Sequence, residues 1–126
     1  MQFSILSEKG YTRLVNELFE LEHIRYAVVL DDFGEKLLGG MKPGVKTSTP
    51  TDAEKRLEIQ SILILRMAEQ YEQFDGKLHY TCIKWDKLSA LFFFLSSNRT
   101  LAVTVQPSAP PDFGEEVEKL VQRFRK

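Results

Sequence analysis

Apolar residues recur at helical spacing near both ends of the chain. The first series lies among polar residues and predicts an amphipathic helix over roughly Ser7 to Glu22; its members are Tyr11, Leu14, Val15, Leu18 and Phe19. The second series follows the spacing i, i+4, i+7, i+8 and i+11, and consists of Phe113, Val117, Leu120, Val121 and Phe124. Asp112 comes just before this series and lies three residues before Glu115. This is capping-box spacing, and it predicts the start of the last helix. We expect each helix to bury one face.

Between these helices the pattern changes to that of β-strands. The run from Ile24 to Leu30 is β-branched and aromatic, and Asp31 to Gly34 forms a turn sequence before a second run, Lys36 to Met41. This predicts a β-hairpin whose second strand, with its adjacent glycines Gly39 and Gly40, bends or lies at a sheet edge. Three further strands are predicted later in the chain, at Leu78 to Trp85, Leu88 to Leu95 and Thr100 to Gln106.

The middle of the chain predicts one long helix. A loop from Lys42 to Pro50 is expected to be mobile and solvated, and Thr51 with Glu54 has capping-box spacing. The helix then continues to about Phe74, before Asp75-Gly76. Its broad apolar arc is expected to cover the sheet and consists of Ala53, Leu57, Leu63, Ile64, Met67, Ala68, Tyr71 and Phe74.

A second, narrower apolar stripe lies on the opposite side of this helix, among charged residues. It consists of Ile59, Ile62 and Leu65, and we interpret it as a surface for a partner. Two alternatives stay open: isolated apolar residues on the surface, which are common, or coverage by the Lys42 to Pro50 loop.

The order of elements is helix, two strands, helix, three strands, helix. The residues Leu91 to Leu95 show no alternation, so the strand that holds them should be covered on both faces. We therefore predict an α+β fold with a five-stranded, mostly antiparallel sheet, two terminal helices on one face and the long helix on the other.

Composition narrows the classes of function. The 126 residues, 43% of them hydrophobic, fit a single domain over residues 1–126. A formal net charge of −1 argues against nucleic-acid binding. The longest apolar run, Leu91 to Leu95, is far too short to span a membrane, and the start of the chain has no secretory pattern, so a cytoplasmic protein is expected.

The residues that could carry chemistry are dispersed along the chain. Asp31 and Asp32 fit a hairpin turn better than a magnesium site, because further oxygen ligands at matching spacing are missing. His79 and Cys82, three residues apart in a predicted strand, should point to opposite faces, and Cys82 is expected to be buried. Lys42 and Lys46 lie outside any phosphate-binding motif. We predict no catalytic residue, no cofactor and no metal.

The segment Ile24 to Leu38, IRYAVVLDDFGEKLL, together with the order of elements, resembles the roadblock family of dynein light chains and small-GTPase regulators, within a wider group of longin and profilin-like folds. The chain departs from the usual pattern in the Gly39-Gly40 pair, in the Lys42 to Pro50 loop and in the aromatic density of Leu91 to Leu95. These departures leave the subfamily, and with it the partner, open.

The resemblance implies a non-catalytic domain that forms a two-fold dimer and binds a small GTPase, a motor subunit or a scaffold protein. In such proteins the middle helix and the following strand pair with their copies, whether the mate is identical or a paralogue. Carried to this sequence, the expected interface consists of Ile59, Ile62, Leu65, Arg66, Glu69, His79, Thr81 and Ile83. The alternative is a profilin-like or PAS-like domain that senses a small ligand between the sheet and a helix.

Overall fold

A computed structural model describes residues 8–47 and 49–124 of the chain. Four helices and five strands lie in this part of the chain, in the order predicted from the sequence except that two helices stand where one long middle helix is predicted. The elements are α1 (Glu8–Phe19), β1 (Ile24–Leu30), β2 (Lys36–Met41), α2 (Thr51–Glu69), α3 (Glu72–Asp75), β3 (Thr81–Lys84), β4 (Ser89–Ser96), β5 (Arg99–Val105) and α4 (Phe113–Phe124).

The five strands form a single antiparallel sheet in the order β2-β1-β5-β4-β3. This confirms the predicted α+β architecture and makes β2 and β3 the two edges. The strand β3 is shorter than the predicted Leu78 to Trp85. The amide of Leu78 donates instead to the carboxylate of Glu72 (2.7 Å), and the amide of Trp85 closes a turn on the carbonyl of Leu88 (2.7 Å).

The two faces of the sheet carry separate cores. On one face, α1 and α4 pack against side chains such as Val29, Phe93 and Val103, all of them fully buried. On the other face, α2 covers Val28 and Phe92. Adjacent residues of one strand therefore serve opposite cores, as the absence of alternation in Leu91 to Leu95 predicts.

The β1–β2 connection is a turn built by one aspartate. The Oδ1 oxygen of Asp31 accepts hydrogen bonds from the amides of Phe33 (2.8 Å) and Glu35 (3.0 Å), which confirms the turn interpretation of the Asp31-Asp32 pair. Gly34 has a φ of +82°, and a Cβ there would lie 2.7 Å from Cγ1 of Ile59, so the turn rests closely on α2.

Both ends of the predicted middle helix differ from expectation. Pro50 occupies the N-cap position with no side-chain hydrogen bond, so the capping box of Thr51 and Glu54 is wrong. The carboxylate of Glu54 is instead drawn to Lys36, at 2.8 Å. Near the other end, the amide of Tyr71 bonds to the carbonyl of Ala68, three residues back, and this tightening separates α2 from the short α3.

The loop after β2 is held by its neighbours. The side-chain amine of Lys42 donates to the carbonyl of Leu21 (3.1 Å), and the guanidinium of Arg25 donates to the carbonyl of Lys46 (3.0 Å). Lys42 is half-buried, so the expectation of a fully solvated loop is wrong at this residue.

The exposed face of the middle helix as candidate interaction surface

The face that α2 turns toward the sheet is the narrower of its two apolar stripes. Its buried residues are Glu58, Ser61, Ile62 and Leu65, with Ile62 7% and Leu65 0% exposed. Placing Ile62 and Leu65 on a partner-facing surface is therefore wrong, because both pack into the core of the chain itself. Glu58 and Ser61 are polar but are buried on the same face. The Glu58 carboxylate accepts a hydrogen bond from the Tyr26 hydroxyl, and the Ser61 hydroxyl donates to the main-chain carbonyl of Glu58.

Most of the large side chains of the broad apolar arc face outward instead, whereas Leu57 packs against the core on the α2 side. Five large apolar side chains follow one another at intervals of four, four, four and three residues: Ile59 (40% exposed), Leu63 (59%), Met67 (65%), Tyr71 (59%) and Phe74 (75%). We call them the outer stripe. The prediction that Leu63, Met67, Tyr71 and Phe74 cover the sheet is wrong, while Ile59 is exposed as expected.

The outer stripe continues across the break between α2 and α3. Gln70 (φ −61°, ψ −22°) and Tyr71 (φ −89°, ψ −2°) keep right-handed helical angles, so the spacing of side chains carries over. The fifteen helical steps from Ile59 to Phe74 correspond to about 22 Å. At the Ile59 end, the β1–β2 turn adds Phe33, which is 79% exposed.

The charged residues beside the outer stripe are paired within the chain. The guanidinium of Arg66 lies 3.6 Å from Asp32 and 3.5 Å from Glu69, donates to the carbonyl of Ser97 and lies 4.9 Å from the centre of the Phe94 ring. Arg66 thus joins α2 to both the β1–β2 turn and the β4–β5 turn. The charged groups of Arg66 and Glu69 therefore have partners within the chain itself.

The strand β3 supplies a second feature, a free edge of the sheet. Thr81 and Ile83 are half-buried there, and Ile83 packs against the core on the α2 side. Cys82 is exposed, contrary to prediction, because alternate residues of this short edge strand lie outside the core. His79 precedes the strand, and its ring lies against the carboxylate of Glu118 on α4.

A buried polar cluster lies beneath the N-terminal half of α2, and the sequence analysis missed it. The Tyr26 hydroxyl donates to Oε2 of Glu58 and lies 3.3 Å from Oε1 of Glu54, while the Lys36 amine lies 2.8 Å from Glu54 and 4.0 Å from Glu58. Burial raises the pKa of Glu58, and burial followed by the Glu58 carboxylate raises that of Tyr26. The sequence does carry one sign of this cluster. Glu58 lies one helical turn before Ile62, so the two side chains share a helix face, and the burial of Ile62 implies the burial of Glu58.

Neither a metal site nor a membrane span emerges in the described part of the chain. Residues 8–47 and 49–124 contain no group of three or more His, Cys, Asp or Glu side chains placed to hold a metal ion. Within the same residues, every helix is too short or too polar to cross a bilayer.

Comparison with solved structures identifies the fold. A Roadblock/LC7 domain from Streptomyces avermitilis matches with a TM-score of 0.64 at 17% identity, covering 90% of this chain and 92% of its own. The gliding protein MglB from Thermus thermophilus matches at 0.68 and 12% identity, over 93% and 89% of the two chains. An MglB structure with a tetrameric arrangement matches at 0.72 and 11% identity, over 94% and 86%.

The sequence itself matches no protein-family model, and a search of curated proteins finds no significant relative. The likeness therefore rests on three-dimensional structure. At sequence identities of 11% to 17%, it shows that the fold is shared. It confirms the resemblance seen in the sequence: this chain has the roadblock fold, of the type found in Roadblock/LC7 domains and MglB.

Proposed function

We propose that this protein is a non-catalytic interaction module that dimerises through the outer stripe. The observation that carries the proposal is the exposure of five consecutive large apolar side chains along one helix face, from Ile59 to Phe74. Contiguous apolar surface of this extent is unusual on a monomer and marks a site of association. Water would leave this surface when a second copy covers it, and that release supplies the driving force.

The spacing of the outer stripe favours an antiparallel pairing of two α2 helices. Met67 is the middle member, so a two-fold axis there sets Ile59 against Phe74 and Leu63 against Tyr71 of a second copy. Exposed charges at the two ends agree with this orientation. A positive residue, Arg56, precedes the stripe and a negative one, Asp75, follows it, so antiparallel copies place opposite charges together at each end.

The edge strand β3 extends the proposed interface. An uncovered edge invites pairing, and two copies of β3 would join the two sheets into one. Of the residues expected at the interface, Ile59, Arg66, Glu69, His79, Thr81 and Ile83 stay in this proposal, whereas Ile62 and Leu65 support the helix from behind. One structure of similar fold, an MglB, has a tetrameric arrangement, which supports self-association in this architecture.

The composite surface of such a dimer is proposed to dock a second protein, a small GTPase or a scaffold. The support is the fold, shared with Roadblock/LC7 domains and MglB, together with the family resemblance in the segment Ile24 to Leu38. The proposed role is recognition, with no chemistry of its own.

Molar mass in solution tests the proposal. The wild-type chain of 14.6 kDa should give about twice that mass by size-exclusion chromatography with light scattering. Met67→Asp places a charge at the proposed axis and should give the monomer mass with an unchanged circular dichroism spectrum. Asn16→Asp, a matched change on the exposed side of α1, should leave the dimer intact. A wild-type monomer at concentrations of tens of micromolar, or a dimeric Met67→Asp, contradicts the proposal.

A further inference from the structure

A cavity of about 50 Å³ opens between the sheet and the N-terminal half of α2. Its floor is made of small side chains: Ala90 and Ala102 lie beside Phe92 on the sheet, and a methyl group fills little of the space under a helix. Leu57 and Met41 form apolar walls. Because the cavity lies on the inner side of α2, it is separate from the outer stripe.

One end of the cavity is polar and incompletely satisfied. Glu58 lines it and is only 3% exposed. Its Oε2 oxygen accepts a hydrogen bond from Tyr26, whereas Oε1 is buried with no hydrogen-bond partner among the described residues. A buried acceptor without a donor is unfavourable, so a ligand that supplies a donor removes this cost on binding.

The charges around Glu58 favour a cationic donor. Two carboxylates, Glu54 and Glu58, meet a single ammonium group, that of Lys36, which lies closer to Glu54 (2.8 Å) than to Glu58 (4.0 Å). With both carboxyl groups ionised, this cluster carries one excess negative charge, nearest to Glu58. Two other cations lie near it: the Arg25 guanidinium, which also lines the cavity, donates to the carbonyl of Lys46, and Lys55 pairs with Glu35. A ligand with one positive charge complements it, and a charge-assisted hydrogen bond is stronger than a neutral one.

We propose that this cavity binds a small aliphatic amine, whose ammonium group donates to Oε1 of Glu58 while its carbon chain packs between Leu57, Met41 and Phe92. One water-sized group needs about 10 to 15 Å³ of such a cavity, so the cavity accepts about three to five non-hydrogen atoms. A butylammonium ion has this size. The mostly apolar wall with one convergent polar group is the usual composition of a small-molecule site.

Titration followed by two-dimensional nitrogen–proton NMR tests the site. Propylammonium, butylammonium and pentylammonium chloride are the probes, with ammonium chloride as the control for salt and butan-1-ol as the neutral analogue of butylamine. We expect saturable shifts confined to the amides around the cavity, among them Leu57, Ala90 and Ala102. Butan-1-ol should bind at least about tenfold more weakly than butylammonium, because it lacks the positive charge.

Two variants separate binding from folding. Glu58→Gln removes the charge and should weaken butylammonium binding about tenfold or more, whereas Glu116→Gln, at an exposed site on α4, should leave it unchanged. Ala102→Leu fills the cavity and should abolish the saturable shifts while the protein stays folded. The proposal is overturned if no probe gives saturable shifts at the cavity, if butan-1-ol binds as well as butylammonium, or if binding survives Ala102→Leu. These outcomes do not depend on the dimer, because the Met67→Asp monomer should bind the probe equally.

Discussion

The helices on the two faces of the sheet differ in how much of their apolar surface the chain itself covers. On one face, α1 and α4 bury Leu14, Leu18, Val117 and Val121 completely, and both helices complete a shared core with the sheet. On the other face, α2 buries Ile62 and Leu65 but leaves the longer outer stripe in solvent. Beneath its first half lie a polar cluster and a cavity.

This difference separates two roles within one small domain. The α1–α4 face holds the larger of the two cores, and its helices leave little apolar surface exposed. The α2 face combines a smaller core with an outer surface of exposed apolar side chains. This arrangement is expected of a helix that a partner protein partly covers. Substitutions on the two faces should therefore have different consequences, which the following predictions make specific.

The largest effect is expected from a pair of neighbouring phenylalanines. Phe93 points into the α1–α4 core and Phe92 into the α2 core, where it borders the cavity. Phe93→Ala should lower the free energy of unfolding by about 3 to 5 kcal/mol, a large fraction of the about 5 to 15 kcal/mol typical of a domain. Phe92→Ala should have a smaller effect, because its surroundings are already loosely packed. Urea denaturation of both variants tests this, and an equal or larger loss for Phe92→Ala contradicts the comparison.

The two sides of α2 provide the second contrast. Leu65→Ala removes a fully buried side chain and should lower the free energy of unfolding by about 2 to 5 kcal/mol. Leu63→Ala, on the outer stripe, should change it by no more than about 0.5 kcal/mol. Both variants are compared in the Met67→Asp background, so that dimerisation does not contribute to the measured stability. Similar losses for the two variants would mean that the assignment of helix faces is wrong.

The polar cluster makes the α2 side sensitive to pH. Burial raises the pKa of Glu58, so the folded state holds this proton more tightly than the unfolded chain does. The carboxyl group therefore contributes most stability below the ordinary pKa of glutamate, and that contribution is lost as the pH rises through the raised value. Glu58→Gln cannot ionise, so its stability relative to the wild type should increase between about pH 4 and about pH 7.

Urea denaturation of wild type and Glu58→Gln at both pH values measures this change. Glu69→Gln is the control, because Glu69 lies on the same helix but only half-buried beside Arg66. A difference between wild type and Glu58→Gln that stays constant with pH would show that the buried carboxyl group does not titrate differently in the folded state.

The smallest effect should appear at the sheet edge. Amides of β3 that face away from β4 have no partner strand among residues 8–47 and 49–124, so they should exchange with solvent rapidly in the Met67→Asp monomer. In the proposed dimer the same amides pair with a second copy and should exchange more slowly. Hydrogen exchange on both proteins at equal concentration measures this, and identical rates at Thr81 to Lys84 would place the junction elsewhere.

Features set by local sequence were predicted well. The hairpin of β1 and β2 follows from a β-branched run and the Asp31 turn, and the terminal helices follow from single apolar stripes that leave one choice of buried face. The element order and the sheet followed from these, and the fold was recognised from them.

Features set by contacts between residues distant in sequence were not predicted. The helix α2 carries two apolar stripes, and helical periodicity defines both without saying which one meets the sheet. The face that meets the sheet also buries Glu58, whose carboxylate accepts a hydrogen bond from the hydroxyl of Tyr26, 32 residues away in sequence. Cys82 was expected to be buried because free cysteines usually are, and its exposure depends on β3 lying at the edge of the sheet.

The most direct test of the central claim, that the outer stripe meets its own copy about an axis at Met67, is a disulfide cross-link. Cys82→Ser removes the native thiol, and a cysteine is then introduced by Met67→Cys or, as a control, by Lys55→Cys, an exposed site on the same helix three turns away from the proposed axis. Mild oxidation should convert the Met67→Cys protein rapidly to a covalent dimer, because only residues at the axis approach their own copy closely enough. The Lys55→Cys protein should remain largely uncross-linked. Equal rates for the two proteins, or a Met67→Cys protein that stays monomeric under oxidation, would contradict the account.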